Sequence, residues 1–206
     1  MQPPARRSPP MQWGEPPPGP LVQILVRVRS LFGAPPPPAR VSLPDLPVAL
    51  RRSELAAPYL TAQAGGEHNE AAAAATTAMA RAVGQGDWWP ADIWGHRALW
   101  HYERAGMELE ATRAARLIGD LRSAAGDPAS SRRYYAEAIS EARDLGAEHE
   151  QGLAALGMGR AALEMSDVTT ARRLAQIALE LLERCDAPAE EIDAARQLRG
   201  EEKEVT

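Results

Sequence analysis

Displaced by forty residues, the 206-residue chain aligns with itself. Gly86 and Asp87 fall on Gly126 and Asp127, and these fall on Ser166 and Asp167. Upstream, Ala75, Ala115, Ala155 and Ala195 coincide, then Ala78, Ile118, Met158 and Leu198, then Met79, Gly119 and Gly159. Downstream, Ala91, Ser131 and Ala171 coincide, as do Ala98, Ala138 and Ala178, and Leu99, Ile139 and Leu179. Such a period constrains the fold more than any single motif, because each unit buries its apolar face only by stacking on the next. After residue 44 the chain is rich in Ala, Leu, Glu and Arg, with few β-branched residues and no alternation, which predicts helices. Each unit reads as helix A, a tight turn and helix B. Glycine relaxes the end of helix A, aspartate caps helix B, and Pro128 falls in a first turn where its missing N–H costs little. The recurrent small residues let helices approach closely.

This pattern resembles the tetratricopeptide repeat, over residues 67–200 approximately. The resemblance implies an all-α, right-handed α-solenoid of three units, 67–106, 107–146 and 147–187. The period of forty exceeds the ~34 of the usual repeat, and alanine stands at Ala75, Ala115 and Ala155 where the family carries an aromatic. Residues 44–66 are expected to form an N-terminal capping helix, with Asp45 as its cap, Pro47 in its first turn, a kink or split at Pro58 and an end at Gly65 and Gly66. Asp186, Pro188 and Glu190 are expected to start a C-terminal capping helix over 188–200, followed by a tail, 201–206.

Twelve of the eighteen prolines precede residue 39, so residues 1–43 are expected to be largely disordered. Within them, residues 21–32, LVQILVRVRSLF, carry an amphipathic helical pattern that also permits a short strand. This stretch would dock on the body, on a partner or on a membrane surface; it is too short, and too interrupted by Arg27 and Arg29, to span a bilayer. Five arginines against one glutamate give residues 1–40 a charge of +4, so the net −5 leaves −9 on the remainder. An acidic body disfavours nucleic acid. The single cysteine excludes an intrachain disulfide and suits a cytoplasmic protein.

No catalytic, cofactor or metal site is expected. The glycines of GMGRAA, residues 157–162, superficially fit a dinucleotide fingerprint but lie inside a helical stretch, with no strand before them. His96 and His101 are five apart, about 140° around a helix, where zinc pairs prefer a spacing of four. His68 and His149 lie near helix starts with no second ligand in view, and Cys185, in register with Ala105 and Leu145, reads as a small buried apolar residue.

Arrays of the resembled kind bind along their helix A side chains. The resemblance places Arg113, Arg116 and Asp120 there in the second unit, and Leu153, Leu156, Arg160 and Glu164 in the third; the first offers only Ala73, Thr76, Ala80 and Val83. The lysines and asparagines with which some members hold a C-terminal carboxylate have no counterpart, since Arg116 and Asp120 stand there. The expected partner is a protein or peptide with acidic and apolar residues, unless these arginines are consumed in ion pairs with Asp120 and Glu110. Trp88, after the first Gly-Asp, is expected to pack inside the turn, and Trp89 to be partly exposed as a further contact. Three functions follow as expectations: an adaptor or scaffold, a regulatory sensor whose groove takes a small peptide or residues 21–32, or a membrane-surface assembly component. A homo-oligomer is compatible with each.

Overall fold

The computed structural model describes residues 45–200, all of whose regular structure is helical. In order these are α1 (Val48–Arg51), α2 (Ala56–Gly65), α3 (His68–Gly84), α4 (Trp88–Ala105), α5 (Glu108–Ala124), α6 (Pro128–Leu145), α7 (Glu148–Glu164), α8 (Val168–Arg184) and α9 (Ala189–Arg199). Residues 1–43, with the amphipathic stretch 21–32, and the tail 201–206 lie outside the described residues.

One turn is used throughout. A left-handed residue recurs every twenty positions, at Gly66, Gly86, Gly106, Gly126, Gly146, Ser166 and Asp186, with φ between 52° and 79°. The N–H that follows each of them donates back to a carbonyl five residues earlier, from Glu67 to Ala62 through Ala187 to Leu182, at 2.8–3.0 Å. The left-handed residue's own N–H bonds the carbonyl three before it, as from Gly126 to Ser123 and from Ser166 to Leu163. Both bonds together form the Schellman ending, which satisfies the last orphan carbonyls while reversing the chain. Glycine meets the positive φ without strain at five of these seven positions; Ser166 and Asp186 adopt it against their Cβ. Asp127 and Asp167 cap α6 and α8 by accepting the N–H groups of Ser130 and Thr170 at 3.1 Å, whereas Asp87 makes no such bond at α4.

Successive helices pack on one another from α2 to α9, and α5 also touches α7 and α7 touches α9. The small residues read from the sequence lie at these seams: Ala75, Ala115, Ala155 and Ala195 are buried, as are Ala91, Ser131 and Ala171. Glycines deepen the approach. A Cβ at Gly119 or Gly157 would stand 2.8 or 2.5 Å from the Tyr135 ring, and one at Gly159 would meet Leu198 at 2.9 Å. The glycines of GMGRAA are therefore packing surfaces within α7.

The N-terminal expectation needs correction. The segment is two helices, and the break falls at Arg52–Leu55, before Pro58. Pro58 is the third residue of α2, where its missing N–H was unpaired in any case. Asp45 is not a cap: Pro47 precedes α1, and Asp45 instead pairs with Arg51 at 3.1 Å. At the other end Asp186 belongs to the turn, and Pro188 directly precedes α9. Trp88 packs against the first core cluster beside Trp94 and Tyr59, and Trp89 is 46% exposed.

Candidate binding cleft

Helices α5 and α7 run beside each other and leave an open cleft of about 380 Å3 between them. From α5 it is lined by Arg116, Asp120, Ser123 and Ala124, which share one face at helical spacing. From α7 come Leu153, Leu156, Gly157, Arg160 and Glu164, and Tyr135 of α6 forms the floor.

Ion pairs across the helices decide which of these groups remain available. Tyr135 donates its hydroxyl to Asp120 Oδ1 at 2.8 Å, and Arg116 Nη1 bonds Asp120 Oδ2 at 2.8 Å. Arg116 Nε also reaches Glu150 Oε2 at 3.0 Å, while Arg113 Nε takes Glu150 Oε1 at 2.9 Å. Glu150 is buried, so its charge is tolerable only because both oxygens are met by guanidinium groups. Burial raises the Asp120 carboxyl above its ordinary value, against the lowering influence of Arg116, Tyr135 and Arg160. Burial, followed by the Asp120 charge, raises the Tyr135 hydroxyl. Ser123 donates to both oxygens of Glu164, at 3.1 and 3.2 Å. Arg160 is exposed; its charge acts on Asp120 and Tyr135, and no hydrogen bond joins it to a described residue.

Six residues singled out from the sequence thus line one cleft: Arg116, Asp120, Leu153, Leu156, Arg160 and Glu164. Arg113 does not line it; it stands behind, holding Glu150. Trp89, at the start of α4, is not part of it. The ion-pair partners expected for these arginines were Asp120 and Glu110; Arg116 does pair with Asp120, but it is Glu150 on α7, not Glu110, that Arg113 and Arg116 share. Tyr135 and Glu150 escaped sequence reading altogether. Gly119 and Gly157 carried the only signal for Tyr135: two small residues facing one another imply a large side chain between them.

All four histidines meet polar side chains. His68 and His101 meet at 2.9 Å between their Nδ1 atoms, and the Tyr59 hydroxyl lies 3.2 Å from His101 Nε2. Burial, helped by His68, Arg97 and Arg104, pushes His101 down to about 4. His96 packs near Asp92 and Tyr134 and is pushed to about 4 by burial and then by Arg122. His149 pairs with Glu191 at 2.6 Å. Among the described residues no group of three His, Cys, Asp or Glu side chains could hold a metal ion. Cys185 is half-buried, not buried, and its thiol donates to the Leu182 carbonyl.

On α6, Glu137 is only 4% exposed, and its Oε1 has no hydrogen-bond partner. Burial, reinforced by Glu141 and Glu103 and opposed by Arg133, pushes this carboxyl up to about 8. No described helix is long and apolar enough to cross a membrane. No family model matches the sequence, and no curated protein matches it.

Proposed function

We propose that the chain is a non-catalytic protein-interaction module of the adaptor or scaffold kind. Its body is a right-handed α-solenoid of about three tetratricopeptide-like units, with α1 and α2 capping one end and α9 the other. The twenty-residue recurrence of one turn supports that reading of the fold, because identical turns at constant spacing give each helix the same relation to the next.

The observation that carries the function is the cleft between α5 and α7: an apolar wall, Leu153 and Leu156, stands beside the exposed guanidinium of Arg160. A concave surface with a few convergent polar groups over apolar side chains is the usual form of a binding site. Its occupant is a peptide or a segment of a partner protein. Within the cleft Arg116 and Asp120 are bonded to each other, and Glu164 accepts from Ser123.

The test is a pull-down from native lysate with the wild-type chain beside a Leu153→Glu, Arg160→Glu variant of equal helicity and thermal stability. A protein retained by the wild type and lost by the variant supports the cleft as the binding site. Equal retention contradicts it and moves the contact to another surface, with exposed Trp89 the first to examine.

A further inference from the structure

Of the two arginines that line the cleft, Arg160 is the one with no hydrogen bond to a described residue. Arg116 is spent on Asp120 and Glu150, and Arg113 on the other oxygen of Glu150. Both Asp120 oxygens are occupied, by Arg116 and Tyr135, and Glu164 is engaged by Ser123. What remains is one guanidinium, Arg160, beside half-buried Leu153 and the edge of buried Leu156. Building on the peptide-binding reading above, we propose that Arg160 is the specificity determinant of the cleft and receives a single Asp or Glu side chain of an internal peptide segment, whose neighbouring apolar residue seats on Leu153 and Leu156.

Placement argues for a side chain over a chain terminus. The stretch of α7 that lines the cleft, Leu153 to Glu164, is about 16 Å long at 1.5 Å per residue. That length accommodates about five extended residues at ~3.3 Å each. Arg160 lies inside this stretch, with Glu164 and Ser123 continuing the wall beyond it, so a bound chain passes the anion and goes on. A chain ending at Arg160 would also find no second unpaired cation in the lining. The Arg116 pair offsets the Asp120 charge and so reduces its repulsion of an incoming carboxylate.

The probe is a random twelve-residue peptide library fused to its display carrier at the C-terminus, so that no terminal carboxylate is offered. It is panned against the full wild-type chain, the Arg160→Glu variant and the Leu153→Glu variant, all checked for equal helicity. The expected wild-type selection places Asp or Glu within two positions of an aliphatic or aromatic residue. Against Arg160→Glu, Lys or Arg should replace that acid. Individual wild-type peptides should bind Arg160→Glu about ten- to a hundredfold more weakly, as expected on losing a charge-assisted hydrogen bond. Peptides that need Leu153 but show no acidic preference and ignore Arg160→Glu would overturn the assignment of Arg160 while sparing the cleft. Peptides indifferent to both variants, or no enrichment, would overturn the cleft as a peptide site as well.

Discussion

Replacing Glu137 by glutamine should change how stability depends on pH more than it changes stability itself. In the folded chain this carboxyl of α6 is buried, one oxygen is unbonded, Glu141 and Glu103 oppose its charge, and only Arg133 favours it. Its value is raised from 4.5 to about 8, so the folded state holds the proton more tightly than the unfolded chain does. The associated stability is complete below the unfolded value of 4.5, declines as pH rises, and is gone once pH passes about 8. At 1.36 kcal/mol for each tenfold change in proton affinity, the full displacement corresponds to at most about 5 kcal/mol, spread at about 1.4 kcal/mol per pH unit. Glutamine keeps the shape and removes the titration, at a pH-independent cost of about 1–3 kcal/mol for an amide with incomplete partners. The informative quantity is therefore the difference between wild type and Glu137→Gln, measured by urea unfolding from pH 5 to 9. The variant should be the less stable protein at pH 5 and the more stable at pH 9. Parallel profiles would show that Glu137 is ionised throughout and would refute the account of its burial.

Three further outcomes follow from the same geometry. Ser166→Gly should stabilise the chain by about 0.5–1 kcal/mol, since Ser166 holds a φ of 64° where Gly86 and Gly126 stand in the preceding turns and its side chain is exposed; an unchanged melting temperature would contradict this. Gly157→Ala should destabilise by about 1–3 kcal/mol, because its Cβ would stand 2.5 Å from the Tyr135 ring and force it off Asp120, whereas Gly84→Ala, whose Cβ meets nothing within 4 Å, should stabilise by up to ~1 kcal/mol; thermal melts of both variants check the contrast. Arg122→Met should cost about 3–5 kcal/mol by stranding Asp92, its buried partner at 2.7 Å, and Asp92→Leu added to it should restore part of the loss in a double-mutant cycle.

The helices were legible because their signals are local. Small residues every forty positions marked the seams, and glycine followed by aspartate marked the turns before α4 and α6. The exposure of Trp89 was legible in the same way, from its place one residue past a position that packs inward. What sequence reading missed lies between elements. The partner of Arg113 and Arg116 is 37 and 34 residues away, on α7, and nothing in the local charge pattern of α5 selects Glu150 over Glu110. His68 finds His101 across 33 residues for the same reason. Tyr135 reaches the cleft only because Gly119 and Gly157, from two different helices, leave its ring a slot. Pro58 misled because a proline inside a predicted helix reads as a break, whereas here the helix begins two residues before it.

The central claim is that a partner polypeptide lies between α5 and α7. Photo-crosslinking tests it most directly, with a benzophenone amino acid placed at Leu153 in the cleft wall or at exposed Arg173 on α8, in full chains incubated with the partner recovered by pull-down. The account predicts a crosslink from position 153, suppressed by Arg160→Glu, and none from position 173. Crosslinking from position 173 alone, or equally from both and insensitive to Arg160→Glu, would contradict it.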